Sequence, residues 1–335
     1  MDQPTVTDRG ETPPVSTGRL PEDETVDRLV HAVHEEHRTV GEGEIPAGIP
    51  AIAEADPDLF GVAVVGTAGQ VFCVGDAERP FSIQSVSKPF TFALVCQALG
   101  HEEARERLGV NNTGQPFDSV MAVELNDHRT MNPMVNAGAV ATTSHLPGTT
   151  AEDKWRHLHD GLSAFAGRDL EVDEEVYEAE VRSNQRNRGI AHLLEAYDHL
   201  GFEPDAAVDL YTRQCALLVT AVDLAVMGAT LANGGVNPRT GDRVIDPAHC
   251  QHVLAVLATS GLYERSGDWL YEVGLPGKSG VSGGIVTASP GKAGLGTYSP
   301  PLDPAGNSVR GRLATTELAE SLGLNLFASR PFSER

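Results

Sequence analysis

Lysine is nearly missing from this chain: Lys88, Lys154, Lys278 and Lys292 are the only four among 335 residues. The 25 basic residues face 47 acidic ones, for a formal net charge of −22. Such a surface repels nucleic acid and anionic membrane, and no basic cluster offsets it, so neither is expected as a partner. Aromatic residues are also scarce, at 5%, although the hydrophobic share of 40% is ordinary and the length allows a sizeable core. No run of 18 apolar residues occurs, which argues against a membrane-spanning helix. Met1-Asp2-Gln3-Pro4-Thr5 lacks the charged-then-apolar start of a secretory signal, so the expected location is cytoplasmic. Cys73, Cys96, Cys215 and Cys250 form neither a Cys-x-x-Cys pair nor a zinc spacing, and read as reduced, buried small hydrophobes. Acidic excess with so little lysine suits solubility in salty surroundings, an expectation that loss of activity in added sodium chloride would refute.

Residues 1–22 are rich in Pro, Thr, Glu and Asp with no apolar period, and read as a disordered acidic tail. Val26, Leu29, Val30 and Val33 predict a helix from Asp23 to Arg38. Short apolar runs flanking the turn 67–70 predict strands over 59–65 and 71–74, and strand signals return over 284–289 and 291–299 around the Pro290-Gly291 turn. Between these hairpins the signals are mainly helical, with apolar stripes at Trp155, Leu158, Leu162 and Phe165 and at Ile190, Leu193, Leu194 and Tyr197. A last helix is expected over 309–322. An isolated hairpin is marginal in water, so the two hairpins should join one sheet. The expected fold is α+β: an antiparallel sheet flanked by the N- and C-terminal helices (residues 23–84 and 272–335), with a mainly helical lobe (85–271) inserted.

That topology brings Ser85, leaving the sheet, close to Lys278, re-entering it. Ser85-Val86-Ser87-Lys88 and the later Lys278-Ser279-Gly280 together form the pattern of serine acyl-transfer enzymes of the penicillin-binding type. Ser85 and Lys88 share a face if a helix starts near Ser85, which Pro89 supports. A serine hydroxyl needs a base, and lysine becomes one when desolvation and a second cation lower its pKa; Lys278 is the candidate cation. Read singly, Ser-x-x-Lys is also what a helix-capping serine and a solvated lysine would give.

Longer stretches carry a resemblance. Phe81 to Lys88, Asn132 to Ala139, Ala229 to Gly235, Gly274 to Ile285 and Ser299 to Ser308 resemble the serine-dependent glutaminases over roughly Pro46 to Leu324. The resemblance implies a β-lactamase/DD-peptidase-like fold and hydrolysis of L-glutamine to L-glutamate and ammonia through a serine acyl-enzyme. It implies no metal or organic cofactor, phosphate activation in some members, and a homodimer or homotetramer. By motif, Ser85 matches the nucleophile and Lys88 its partner, with Lys278 in the second lysine motif. Asn136, Glu180 and Asn187 match substrate-holding residues, Tyr211 and Tyr263 match two tyrosines of the pocket expected both to bind substrate and to assist proton transfer beside Lys88 and Lys278, and Val281 matches the residue whose backbone faces the reacting carbonyl. Without the resemblance, Glu180 in its acidic stretch reads as a solvated face, the tyrosines as half-buried core and the asparagines as turns or caps. One departure stands out: Gly48-Ile49-Pro50 occupies the place where members often carry Tyr-Ile-Pro, so that tyrosine's cover over the substrate is not carried over.

Three further patterns compete for attention. His31-x-x-His34-x-x-His37 invites a metal reading, but the spacing drifts around the helix beside Glu35 and Glu36. Gly280 to Gly284 lacks the residue order of a phosphate loop. A penicillin-recognising enzyme is the rival function, and a missing Ser-Asp-Asn element and the presence of Glu180 stand against it. A non-catalytic binding protein is the other rival, opposed by the intact Ser85, Lys88 and Lys278.

Overall fold

The computed structural model describes residues 18–328, apart from Thr113 and His128. Seven strands occur among them: β1 Gly61–Gly66, β2 Val71–Gly75, β3 Phe81–Ser82, β4 Leu218–Val219, β5 Gly277–Ser279, β6 Gly284–Ser289 and β7 Ala293–Tyr298. The early and late hairpins join through β1 and β7 into a five-stranded antiparallel sheet of order β2-β1-β7-β6-β5. Its register sets Val62 opposite Thr297 and Val64 opposite Leu295. β3 and β4 form a separate short pair.

β1 is buried along its whole length, and its period-2 alternation serves two layers. Val62 and Val64 join a cluster with Val26, Val30 and Val33 of the helix Asp23–His37 and Ala314 and Leu318 of the helix Val309–Ser321. Ala63 and Val65 belong to the opposite core with Leu224 and Ala225. Each fully buried valine contributes roughly 1.5–3 kcal/mol, so a slip of one residue in β1 would forfeit both layers. The first and last helices therefore cover one face, as the sequence predicts.

The other face is covered by the helix Ala221–Ala232, which comes from the stretch read as helical lobe. It lies directly on the strand backbone because the sheet is bare beneath it. A Cβ on Gly294 would collide with the Ala225 carbonyl and the Ala229 N–H, and one on Gly296 with the Ala221 carbonyl. Thr220 and Asp223 cap this helix reciprocally.

The predicted stripe Trp155, Leu158, Leu162 and Phe165 is buried on the helix Ala151–Ala166. On the helix Gln185–Ala196, Ile190 and Leu194 are buried and Leu193 is half-buried. These helices share one core with Ala63, Val65 and Val286 of the sheet. Of the tail read as disordered, residues 1–17 lie outside the described residues, while Leu20 packs against the core under the first helix. The three histidines of that helix have separate partners: His31 faces Asp27, His34 stacks on Phe60, and His37 meets Glu317 at 2.8 Å. Among the described residues no helix is long and apolar enough to cross a membrane.

Candidate active site

The chain leaves β3 and enters a 3₁₀ turn, Gln84–Ser87, that runs straight into the helix Lys88–Leu99. The α-helix thus begins at Lys88, three residues later than the sequence predicts. Pro89 sits in its first turn, where the missing N–H would have had no partner. A 3₁₀ turn eclipses residues three apart, so Ser85 and Lys88 still face the same way. Gln84 takes φ 51°, a left-handed conformation that costs a non-glycine residue about 1–3 kcal/mol. Its surroundings hold it there. Gln84 Nε2 donates to Glu180 Oε1 at 2.6 Å, and the Gln84 carbonyl accepts from Ser87 Oγ at 2.6 Å. Gln214 Nε2 donates to Ser87 Oγ at 2.7 Å.

Lys88 is fully buried. Its Nζ donates to Asn136 Oδ1 at 2.8 Å and to the Met134 carbonyl at 3.2 Å. Asn136 opens the helix Asn136–Ser144 and donates through Nδ2 to Asn187 Oδ1 at 3.1 Å. The Tyr211 hydroxyl, from the helix Pro204–Cys215, reaches the same Asn136 Oδ1 at 3.5 Å. Glu180 lies on the helix Glu174–Ser183, where Glu174, Glu175 and Glu178 are exposed and Glu180 alone turns inward, half-buried.

The second lysine arrives from the sheet. Lys278 lies in β5 opposite Val286, fully buried, with Nζ donating to the Ser279 carbonyl at 2.7 Å. The helix Pro247–Ser260 ends against this strand at Gly261, where a Cβ would collide with the Gly277 carbonyl. Two residues on, Tyr263 adopts φ 56°. Its ring centroid lies 4.0 Å from Lys278 Nζ and 5.6 Å from Lys88 Nζ, and its side chain hydrogen-bonds Ser85. Ser85, Lys88 and Lys278 therefore surround one tyrosine. Val281 follows β5 in a turn; its neighbour Gly280 packs on the 3₁₀ turn, a Cβ there lying 3.1 Å from the Ile83 carbonyl.

Electrostatics separates these groups into donors and a base. Burial pulls Lys88 from 10.5 down to about 7, partly offset by Cys215 and Asp118. Burial first, then the charge of Lys88, holds Lys278 well below the ordinary lysine range. Desolvation is thus the first cause that lowers both amines, and the charge of Lys88 adds to it at Lys278. Burial raises Tyr211 and Tyr263 well above 10, so both remain phenols. Burial also raises Glu180 from 4.5 to about 7, against the opposing hydrogen bond from Gln84.

Of the nine residues singled out by sequence, Ser85, Lys88, Asn136, Asn187, Tyr211, Tyr263 and Lys278 are joined by these contacts, Glu180 is tied to the turn through Gln84, and Val281 stands in the turn after β5. Gln84 was missed: glutamine gives no hint of a left-handed backbone, and adjacency to Ser85 was the one available signal. Ser87, Gln214 and the buried Cys215 beside Tyr211 were missed for the same reason, since nothing in their spacing marks them. Gly48 is exposed, and a Cβ there would meet nothing within 4 Å. A cavity of about 1140 Å³ lies apart from these residues, between the helices His101–Leu108 and Pro247–Ser260. The titratable groups just described are elsewhere, and they mark the chemistry better than volume does.

Residues 43–327 match the family model described as glutaminase. The chain is 56% identical over 321 residues to Glutaminase 2 of Yersinia pestis, covering 96% of this chain and 94% of that protein. It is 47% identical over 302 residues to the glutaminase of Mycobacterium ulcerans, covering 90% and 94% respectively. Among solved structures, a probable glutaminase, ybaS, superposes with a TM-score of 0.91 at 39% identity, covering 92% of this chain and all of that one. Mglu in its glutamate form superposes with a TM-score of 0.86 at 41% identity, covering 91% of this chain and 70% of that one.

Proposed function

Because the chain belongs to the glutaminase family, we propose that it hydrolyses L-glutamine through a γ-glutamyl ester on Ser85, with Lys88 as base and tyrosine as proton donor. One observation carries the reading: a half-buried hydroxyl meets, around one tyrosine ring, two amines whose proton affinity burial has driven down. Lys88, at about 7, is partly neutral under ordinary conditions and able to accept a proton.

Ser85 Oγ attacks the side-chain amide carbon, and its proton passes to Lys88 Nζ. The resulting oxyanion takes hydrogen bonds from the backbone N–H groups of Ser85 and Val281, at the start of the helix dipole. The intermediate collapses, and Tyr211, kept protonated by burial, gives its proton to the departing ammonia and recovers one from Lys88. Water then attacks the ester, Lys88 takes its proton and returns one to the departing Ser85 Oγ as the tetrahedral intermediate collapses, and glutamate leaves with Ser85 restored. Tyr263 orients the serine hydroxyl. No step needs a metal or an organic cofactor.

Recognition follows the charges of an amino acid. The α-ammonium pairs with Glu180, whose carboxyl Gln84 holds toward the crevice. The α-carboxylate accepts from the amides of Asn136 and Asn187. Ammonia release from L-glutamine and L-asparagine, by wild type and by Ser85→Ala, tests the reading. Glutamine is turned over by the wild type, asparagine far more slowly, and the variant loses about a thousandfold or more in kcat. A Ser85→Ala protein of normal rate would end the proposal.

A further inference from the structure

Tyr263 is held in its unusual backbone conformation from a distance of about 150 residues in sequence. Its carbonyl accepts two side-chain hydrogen bonds: from Ser266 Oγ at 2.8 Å and from Asn112 Nδ2 at 3.2 Å. Ser266 lies in the following helix and also accepts from the Leu262 N–H at 3.0 Å, so it is part of the local turn. Asn112 belongs to the loop after the helix His101–Leu108. Its Nδ2 also donates to the Thr259 carbonyl at 2.9 Å, in the last turn of the helix Pro247–Ser260. Its Oδ1 accepts from the Gly114 N–H at 2.8 Å, which fixes the direction in which the amide points. The same loop sets the Phe117 ring 4.9 Å from the Tyr263 ring and offers the Phe117 carbonyl to the Asn136 N–H at 2.9 Å.

From this juxtaposition we infer that Asn112 is a positioning residue for the reaction: it clamps the carbonyl of Tyr263 so that the phenol stays between Ser85 and the two lysines. The inference rests on the role given to Tyr263 above. A tyrosine at φ 56° relaxes toward negative φ unless its peptide is held, because its Cβ crowds the backbone there. Rotation of that peptide swings the ring away from Lys278. Asn112 lies on the backbone side of Tyr263 and lines the large outer cavity, so it acts through the tyrosine and not on the substrate.

Four proteins test this: Asn112→Asp, Tyr263→Phe, the double variant and wild type, each checked for a cooperative thermal transition. Asn112→Asp keeps the shape and the acceptor for Gly114 but loses the donor. It lowers kcat by roughly tenfold with KM within about twofold, because a ground-state contact is untouched. Added to Tyr263→Phe, it costs no more than about twofold, since the hydroxyl it positions is gone. Ser266→Ala, which removes the other side-chain donor and leaves the Ser266 backbone N–H in place, shows the same pattern and replaces Asn112→Asp if that variant does not fold. Wild-type kcat in Asn112→Asp, or an equal loss in both backgrounds, overturns the inference while leaving Tyr263 its role. A Tyr263→Phe enzyme of normal kcat overturns that role, and the clamp with it.

Discussion

Lowering the pH from 8 to 6 should disable this enzyme twice over at low substrate. As the proposed base, Lys88 must be neutral to act, and burial has brought its pKa from 10.5 to about 7, so on that proposal its active form grows as pH rises through 7. As the proposed partner of the substrate ammonium, Glu180 must be ionised, and burial has raised it from 4.5 to about 7, so on that proposal its active form grows over the same interval. Both signs agree. In the free enzyme each group drops from about nine-tenths active at pH 8 to about one-tenth at pH 6, and the product makes kcat/KM fall about a hundredfold. At saturation the bound ammonium keeps Glu180 ionised, so kcat loses only the share of Lys88, about tenfold. The assay is initial-rate ammonia release from L-glutamine, far below and far above KM, across this range. Glu180→Gln should be a weak binder whose kcat/KM falls only about tenfold, with one proton lost from the acidic limb. A wild-type kcat/KM that falls no more steeply than kcat, or a Glu180→Gln profile as steep as wild type, would refute the reasoning.

Two other outcomes follow from the packing. A lysine buried at a pKa near 7 costs folding on the order of 4 kcal/mol at pH 7, a penalty that grows as pH falls from 10.5 toward 7. Lys88→Met should therefore be inactive yet more resistant to heat, with a larger gain in Tm at pH 7 than at pH 10, read by calorimetry. Gly296→Ala drives a methyl group into the Ala221 carbonyl and should lower stability by about 1–3 kcal/mol, whereas Gly267→Ala, with open space around it, should change the unfolding midpoint little.

The two hairpins, the first and last helices and the Ser85–Lys88–Lys278 constellation were legible because each is written in local pattern: short apolar runs around a turn, a 3.6-residue period, or a short motif. What escaped was set by tertiary contact. The helix Ala221–Ala232 reads like any apolar helix, and only the bare backbone at Gly294 and Gly296, sixty-odd residues later, assigns it to the sheet. The start of the α-helix at Lys88 was obscured because a 3₁₀ turn satisfies the same spacing. The depth of Lys278 was not legible because a motif shows which residues meet but not how far they lie from solvent. Gln84 and Asn112 bear no mark in sequence; their roles exist only where distant side chains and carbonyls converge.

Three of the four lysines are hidden: Lys88 and Lys278 beside Tyr263, and Lys154 with Nζ on the Ser144 and Leu146 carbonyls. Lys292, whose Nζ rests on the Gly323 carbonyl, is the side-chain amine left facing solvent. Among the described lysines, an acylating dye or an activated resin would thus couple the folded molecule through that hairpin turn. Enzyme tethered by Lys292 would present every copy to the solution in one orientation.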